Sequence, residues 1–266
     1  MKEIIKRKPL TPEQEKMTYS KYYYEELAEI PEEKKKIIAS GPCDPKKALK
    51  IQEMNKIFDE GYLDVEIGYC QMEDGTGFVA NKTFMPGVTG EMFAWWFAWH
   101  SLEDLRYKIW DPEDHIYARN QTPERILDQS VPVLERNWGT THDIVEDFGF
   151  GEDELRIHFM DPEEMGLDKS KIFTKYCSAI QTGNAEGPGL NAVMLHMVRD
   201  VEGGVELRSR FWIGYHIKDK KPVKLLPDGA KVPIIAPENL FKHNCVEFTN
   251  LAELLPRVYA EEKDNW

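Results

Sequence analysis

The chain is short of positive charge. Its 34 Lys and Arg face 47 Asp and Glu, a formal net charge of −13, which weighs against a nucleic acid or an anionic membrane surface as partner. No apolar run approaches the length of a membrane span. The N-terminus MKEIIKRKPLTPEQEK has only Ile4 and Ile5 as an apolar pair, too little for a signal-peptide core. The four cysteines (Cys43, Cys70, Cys177 and Cys245) form no CxxC and no compact framework. That excludes a thiolate zinc knuckle and suits reduced thiols in a cytoplasmic protein. Internal repeats, low-complexity tracts and long linkers are absent too.

What is present is enough for a sizeable core: 266 residues, 41% hydrophobic and 11% aromatic. The length fits one large domain, or one domain with a helical appendage. TPEQEKMTYSKYYYEELAEI reads as a helix with Thr11 as N-cap and Pro12 at its first position. DPKKALKIQEMNKIFDEG reads as a second, capped by Asp44 and stopped near Gly61. Residues 1–60 are thus expected to form an N-terminal helical arm, a lid or a dimer contact. Residues 61–266 then form the main domain.

From Tyr62 the texture changes. YLDVEIGYCQME and GTGFVANKTFM are strand-like and joined by a turn at Asp74-Gly75. TGEMFAWWFAWHSLEDLRYKIW reads as a helix starting at Thr89. After residue 140 come short alternating runs, with Gly203-Gly204 marking a hairpin between NAVMLHMVRDVEGG and VELRSRFWIGYHI. The chain closes with one long amphipathic helix, which Pro256 is expected to end or kink near Leu255. An antiparallel sheet followed by one long helix is an α+β layout, with the helix over the concave face and room for a ligand between.

In that last helix Leu240, His243, Glu247, Leu251, Leu254 and Val258 recur at steps of three and four, an apolar stripe holding a His and a Glu one turn apart. A buried pair of this kind is costly unless hydrogen-bonded or bound to a cation. It is either a structural His–Glu pair or half of a metal site. Cys245 lies well away from the stripe. In HDIVEDFGF, alternation puts His142, Ile144, Glu146 and Phe148 on one face, so an inward face would aim Glu146 at the cavity. His115 sits in the polar turn of WDPEDHIYARN. His196 alternates with apolar residues in NAVMLHMVRD, where a lone His is either a bonded core residue or a functional one. His100 reads as structural. Arg210, Tyr215 and His216 depend on the phase of their strand, and Trp95, Trp96 and Trp99 serve equally as core or as a wall for a flat phenolic ring.

His115, then Glu146 thirty-one residues on, then His243-x-x-x-Glu247 resembles the phloretin hydrolase and 2,4-diacetylphloroglucinol hydrolase family. The resemblance runs over essentially the whole chain, including FAWWFAWHSLEDLRYKIWDPEDH. It implies a helical region followed by a helix-grip domain like that of the birch pollen allergen. It also implies zinc-dependent hydrolysis of the carbon–carbon bond between an acyl group and a phloroglucinol-type ring. On that basis the metal ligands are His115, Glu146, His243 and Glu247, with His142 as the competing choice on the same strand face. A set of two His and two carboxylates suits zinc, though Mn and Fe(II) also accept it. Tyr107 and His196 are implied as acid–base and substrate-contacting residues. Glu247, or in its place Glu146, is expected as a ligand that doubles as a base, and Tyr215 and Trp96 are candidate substrate contacts read from the residues themselves. One departure is Ala118, where the diacetylphloroglucinol branch has Asn. Two other readings are a carrier of phenolic or hydrophobic ligands on the same scaffold, and a different metal-dependent hydrolase. The expected partner is a small aryl ketone, and a homodimer through the arm is plausible.

Overall fold

The computed structural model describes residues 7–147, 149, 151–188 and 191–266. The expected hairpin is formed by β1 (Gly68–Gln71) and β2 (Gly77–Pro86). Its turn is set by Asp74, whose carboxylate accepts from Thr76 N and Oγ1, and by Gly75 at φ +86°. Six further strands follow: β3 (His115–Asn120), β4 (Thr141–Glu146), β5 (Asp153–Phe159), β6 (Ala179–Glu186), β7 (Ala192–Val201) and β8 (Gly204–Ile213). All pair antiparallel in the order β1-β2-β8-β7-β6-β5-β4-β3. β7 and β8 turn at Glu202-Gly203, where Gly203 supplies φ +82°. A short ribbon, β9 (Tyr215–Lys218) with β10 (Lys221–Lys224), stands apart.

Both faces of the sheet are apolar. On β7, Met194 and Val198 belong to one core, while Val193, Leu195 and Met197 belong to the other. The first core lies on the concave side, beneath α5 (Ile235–Glu262) and α2 (Gly90–Trp99). The second is closed by Ile51, Met54, Ile57 and Phe58 and by Met165, Leu167 and Ile172. The result is the helix-grip α+β architecture, a curved antiparallel sheet wrapped around one long C-terminal helix. Among the described residues, no helix is long and apolar enough to cross a membrane.

The stripe on α5 is buried as its spacing predicts: His243, Glu247, Leu251, Leu254 and Val258 are all inside, with Leu240 half-buried. The helix continues through Pro256 to Glu262 rather than ending at Leu255. Cys245, off the stripe, is nevertheless buried, because α1 (Glu32–Ser40) covers that side and sends Lys34 Nζ to Thr83 Oγ1 at 2.7 Å. The helix expected from Thr89 begins there, with Thr89 Oγ1 accepting from Met92 N. It breaks at Glu103, which is extended and caps α3 (Asp104–Lys108) by accepting from Leu105 N. A five-residue α4 (Pro123–Leu127) follows β3.

The N-terminal segment departs most from its pattern. Instead of a long helix there are two short 3-10 turns, Gln14–Lys16 and Ser20–Tyr24, and Thr11 caps only the first. The second expected helix is a 3-10 run, Ile51–Phe58. The one regular helix of this region, α1, lies between them. Tertiary packing overrides local preference here: Tyr19, Tyr22 and Tyr23 are drawn into the concave-side core, and Arg7 ties down the carbonyls of Tyr23 and Glu25.

Across the convex face, Glu66 joins the segment preceding β1 to β8. Its carboxylate takes Arg208 Nε at 3.0 Å and Arg210 Nη2 at 2.7 Å, and both guanidiniums are buried. Burial alone would raise the Glu66 carboxyl, but the Arg208 hydrogen bond and the charges of Arg208 and Arg210 hold it at about 2. A carboxyl held below its unfolded value adds stability that is complete above that value, about 4.3, and fades as pH falls toward 2. Glu66→Gln should therefore cost about 3–5 kcal/mol at neutral pH, since it strands two buried cations. Urea unfolding at pH 7 and pH 3 checks both points: the gap between variant and wild type should narrow at the lower pH.

Candidate metal centre and cavity

Four side chains from three separate segments meet between the sheet and α5. Strand alternation turns His142, Ile144 and Glu146 of β4 inward; Phe148, expected on the same face, lies outside the described residues. His115 opens β3 as the register partner of Glu146. His243 and Glu247 descend from α5 one turn apart. His115 Nε2 lies 3.9 Å from Glu146 Oε1 and 3.8 Å from Glu247 Oε2. His243 Nε2 lies 4.0 Å from Glu146 Oε2 and 3.9 Å from Glu247 Oε2. One atom each from His115, His243 and Glu247 falls within 4.8 Å of the others.

Each of the four is held from behind. His115 Nδ1 donates to the Tyr107 carbonyl at 3.1 Å, and its ring stacks on Tyr107 with centroids 3.9 Å apart. His243 Nδ1 bonds Asp114 Oδ2 at 2.9 Å, with Asp111 Oδ2 at 3.9 Å. Glu146 accepts from the Tyr107 hydroxyl. Glu247 accepts from Asn244 Nδ2 at 2.8 Å, and Asn244 Oδ1 in turn accepts from Asn81 Nδ2 at 2.7 Å. These outer partners fix ring and carboxylate orientation so that the free atoms converge.

The electrostatics are those of a site with surplus negative charge. Burial, then the charges of Glu146 and Asp111, push Glu247 up to about 8 against the pull of His243. Burial likewise raises Glu146. Burial would lower His243, yet Glu247, Asp114, Glu146 and Asp111 raise it to about 10. His115, facing burial and the positive charge of His243, is held well below its usual range. Its Nε2 is completely buried and has no hydrogen-bond partner among the described residues. A divalent cation would answer all of this: it gives His115 Nε2 a partner and neutralises the carboxylates. Two imidazoles and two carboxylates form a donor set suited to a borderline metal. The residues present fit a metal ion.

A cavity of about 460 Å³ opens beside this cluster. Tyr107, Glu146, His196, His243 and Glu247 line one part of it, with His100 and His142. Leu155, Ile157, Met194, Ile213, Ile235 and Leu240 line the rest. His196 is buried, bonds Ser209 Oγ through Nδ1 at 2.9 Å, and is pushed down to about 3 by burial. Tyr107 is committed to Glu146 and raised well above the usual phenol range, first by burial and then by that carboxylate.

Two expected contacts lie elsewhere. Tyr215 belongs to the convex-side core and donates to Asp74 Oδ2 at 2.7 Å. Gly214, at φ +95°, interrupts the alternation that would have carried Tyr215 to the concave side. Trp96 is fully buried among Trp95, Trp99 and Trp110 and does not line the cavity. The α2 residue that forms the wall is Phe97, joined by Trp110, Phe159 and Phe211. Arg210 is engaged with Glu66, and His216 with Asn184. The competing ligand candidate, His142, faces the cavity but bonds Asn120 and Thr140. Asp111, Asp114, Asn81 and Asn244 went unnoticed in the sequence. The one available signal was the acidic run around His115.

The chain is 44% identical to phloretin hydrolase of Eubacterium ramulus over 259 residues, 96% of this chain and 93% of that one. It is 29% identical to a 2,4-diacetylphloroglucinol hydrolase of Pseudomonas sp over 264 residues, 91% of this chain and 87% of that one. A second enzyme of that name, from Pseudomonas protegens, is 28% identical, covering 91% of this chain and 84% of that one. Among solved structures, Ara h 8.0201 superposes with a TM-score of 0.43 at 9% identity, over 69% of this chain and 99% of that one. That likeness is too slight to add to the strand order. The family profile described as the DAPG hydrolase PhiG domain matches residues 49–260, and the chain belongs to that family.

Proposed function

We propose that the protein is a zinc-dependent hydrolase that cleaves the carbon–carbon bond between an acyl group and a phloroglucinol-type ring. The observation that carries the reading is the convergence of His115, Glu146, His243 and Glu247 around the partnerless His115 Nε2, at the edge of a mostly apolar cavity. Those four residues would hold the metal. When bound, zinc supplies a Lewis acid that polarises oxygen and lowers the pKa of water.

The reaction adds water across the bond: the acyl carbon gains the oxygen and leaves as a carboxylic acid, and the ring carbon gains a proton. A ring carbanion is a poor leaving group, but in the keto tautomer of a polyhydroxylated ring the departing charge is an enolate. Phe97, Trp110, Phe159 and Phe211 fit a flat ring and exclude bulk water. His196 is neutral at working pH, and Ser209 Oγ can either donate to its Nδ1 or accept from it. With Nδ1–H on Ser209 its other nitrogen is bare, and it can receive the proton given up by the attacking water and pass it to the ring carbon, ending neutral as it began. Tyr107 holds Glu146 in place through its hydroxyl. Glu247, whose Oε1 is held by Asn244, is the carboxylate placed to take a proton from attacking water.

His243→Ala and Glu247→Ala should each lose stoichiometric zinc and hydrolysis of phloretin, checked by elemental analysis and product assay. Zinc retained at wild-type level in both would sink the assignment. His196→Ala should lower kcat by about 10²–10⁴ with zinc content unchanged, the scale of a lost proton-transfer group. Loss of metal in that variant would make His196 a ligand instead.

A further inference from the structure

Two cavity imidazoles take no part in holding the metal cluster. His100 lies just beyond α2, and its Nδ1 is 2.8 Å from the carbonyl of Trp96. A carbonyl only accepts, so Nδ1 carries the proton and Nε2 is bare. His142 is fixed by a longer argument. The backbone N–H of Thr122 donates to Asn120 Oδ1 at 2.8 Å, which pins that amide and leaves Nδ2 toward His142. Asn120 Nδ2 lies 3.1 Å from His142 Nε2 and can only donate, so Nε2 is bare and Nδ1 carries the proton. Thr140 Oγ1, 3.2 Å from the same nitrogen, can donate or accept, whereas Asn120 Nδ2 can only donate, so a bare Nε2 is the form that suits both neighbours.

The remaining nitrogens, His100 Nε2 and His142 Nδ1, have no partner among the described residues. Neither is sealed from open space as His115 Nε2 is, and both residues line the cavity. One nitrogen is an acceptor and the other a donor. Their ring centroids are 5.9 Å apart at 80° to each other, close enough for one six-membered ring to bridge.

We propose that His100 and His142 are a specificity-determining pair that reads two oxygens of one phenolic ring. His100 Nε2 accepts from a ring hydroxyl, and His142 Nδ1–H donates to a second ring oxygen. The pair takes an aromatic ring bearing at least two oxygens and disfavours a monohydroxylated one. A donor at the second oxygen also favours the form in which that oxygen is a carbonyl, the tautomer that makes the ring a leaving group. Burial keeps both imidazoles neutral, His100 pushed down to about 4 and His142 well below its usual range, so the arrangement holds across ordinary pH. The ligand's identity rests on the proposed function; the tautomers do not.

Nitrogen-15 NMR of the histidines in the zinc-loaded protein tests both parts. The expected result is the Nδ1–H tautomer at both positions, the form less favoured by free imidazole side chains in water. Phloroglucinol should shift both signals and bind about tenfold more tightly than phenol, which has one oxygen and leaves one buried nitrogen unmatched. An Nε2–H tautomer at either residue overturns the pair, and so does phenol binding as tightly as phloroglucinol. If the tautomers and the preference hold while aryl ketones are not hydrolysed, only the proposed reaction fails.

Discussion

The constraint behind most of this architecture is the burial of two carboxylates side by side. Glu146 and Glu247 are 8% and 6% exposed, and an unpaired ion at such depth costs several kcal/mol. Much of the polar structure beneath α5 can be traced to that cost. Tyr107 donates to one carboxylate, the Asn81–Asn244 relay donates to the other, and His243 sits between them with its second nitrogen on Asp114. Among the described residues two buried polar atoms of this region lack a hydrogen-bond partner: Asp111 Oδ2, behind His243, and His115 Nε2, which faces both carboxylates. A cluster whose four members are each held from the outer side while a buried imidazole nitrogen faces its centre bare is shaped around something at that centre.

How much of this was legible depended on which force set each element. β4 was readable because one face is buried and the period of a strand is fixed at two, so Glu146 could only point inward or outward with His142. α5 was readable because its apolar stripe is long. The proposed metal set rests on one more kind of information, since no local pattern marks His115 as the register partner of Glu146. Resemblance to a family supplied it. Tyr215 was misplaced by a single backbone event at Gly214, and Trp96 because an all-apolar helix does not mark which of its aromatics meets the cavity, a place taken by Phe97. The N-terminal segment was misread because its helical spacing is real but its tyrosines gain more from the core than the backbone gains from a regular helix.

That segment also bears on the site at a distance. Tyr19 packs edge-on against Trp99 with centroids 5.1 Å apart, and its hydroxyl accepts from Arg106 Nε at 3.3 Å. Trp99 and Arg106 flank the break between α2 and α3, from which His100 and Tyr107 project. The two cavity residues most dependent on that break are thus braced by residues from the first part of the chain. On the convex side, Glu66 does comparable work by fixing β8, the strand that carries Ser209 to His196 and Phe211 to the cavity.

A carrier built on the same scaffold would need the cavity but not the cluster. Its apolar part, from Leu155 to Leu240, already offers what a hydrophobic ligand requires. Replacing buried ion pairs by apolar residues of similar volume is commonly neutral or stabilising, by about 1–4 kcal/mol, so a carrier would lose nothing by discarding the charges. Here they are kept, oriented by a further layer of hydrogen bonds, and set at the edge of the space a ligand would fill. His196 adds to the contrast: a neutral imidazole with a hydroxyl behind it gives a passive pocket no stability, yet it can exchange a proton with whatever occupies the cavity. The polar end of the cavity is therefore explained by chemistry performed on a bound ring rather than by storage of one.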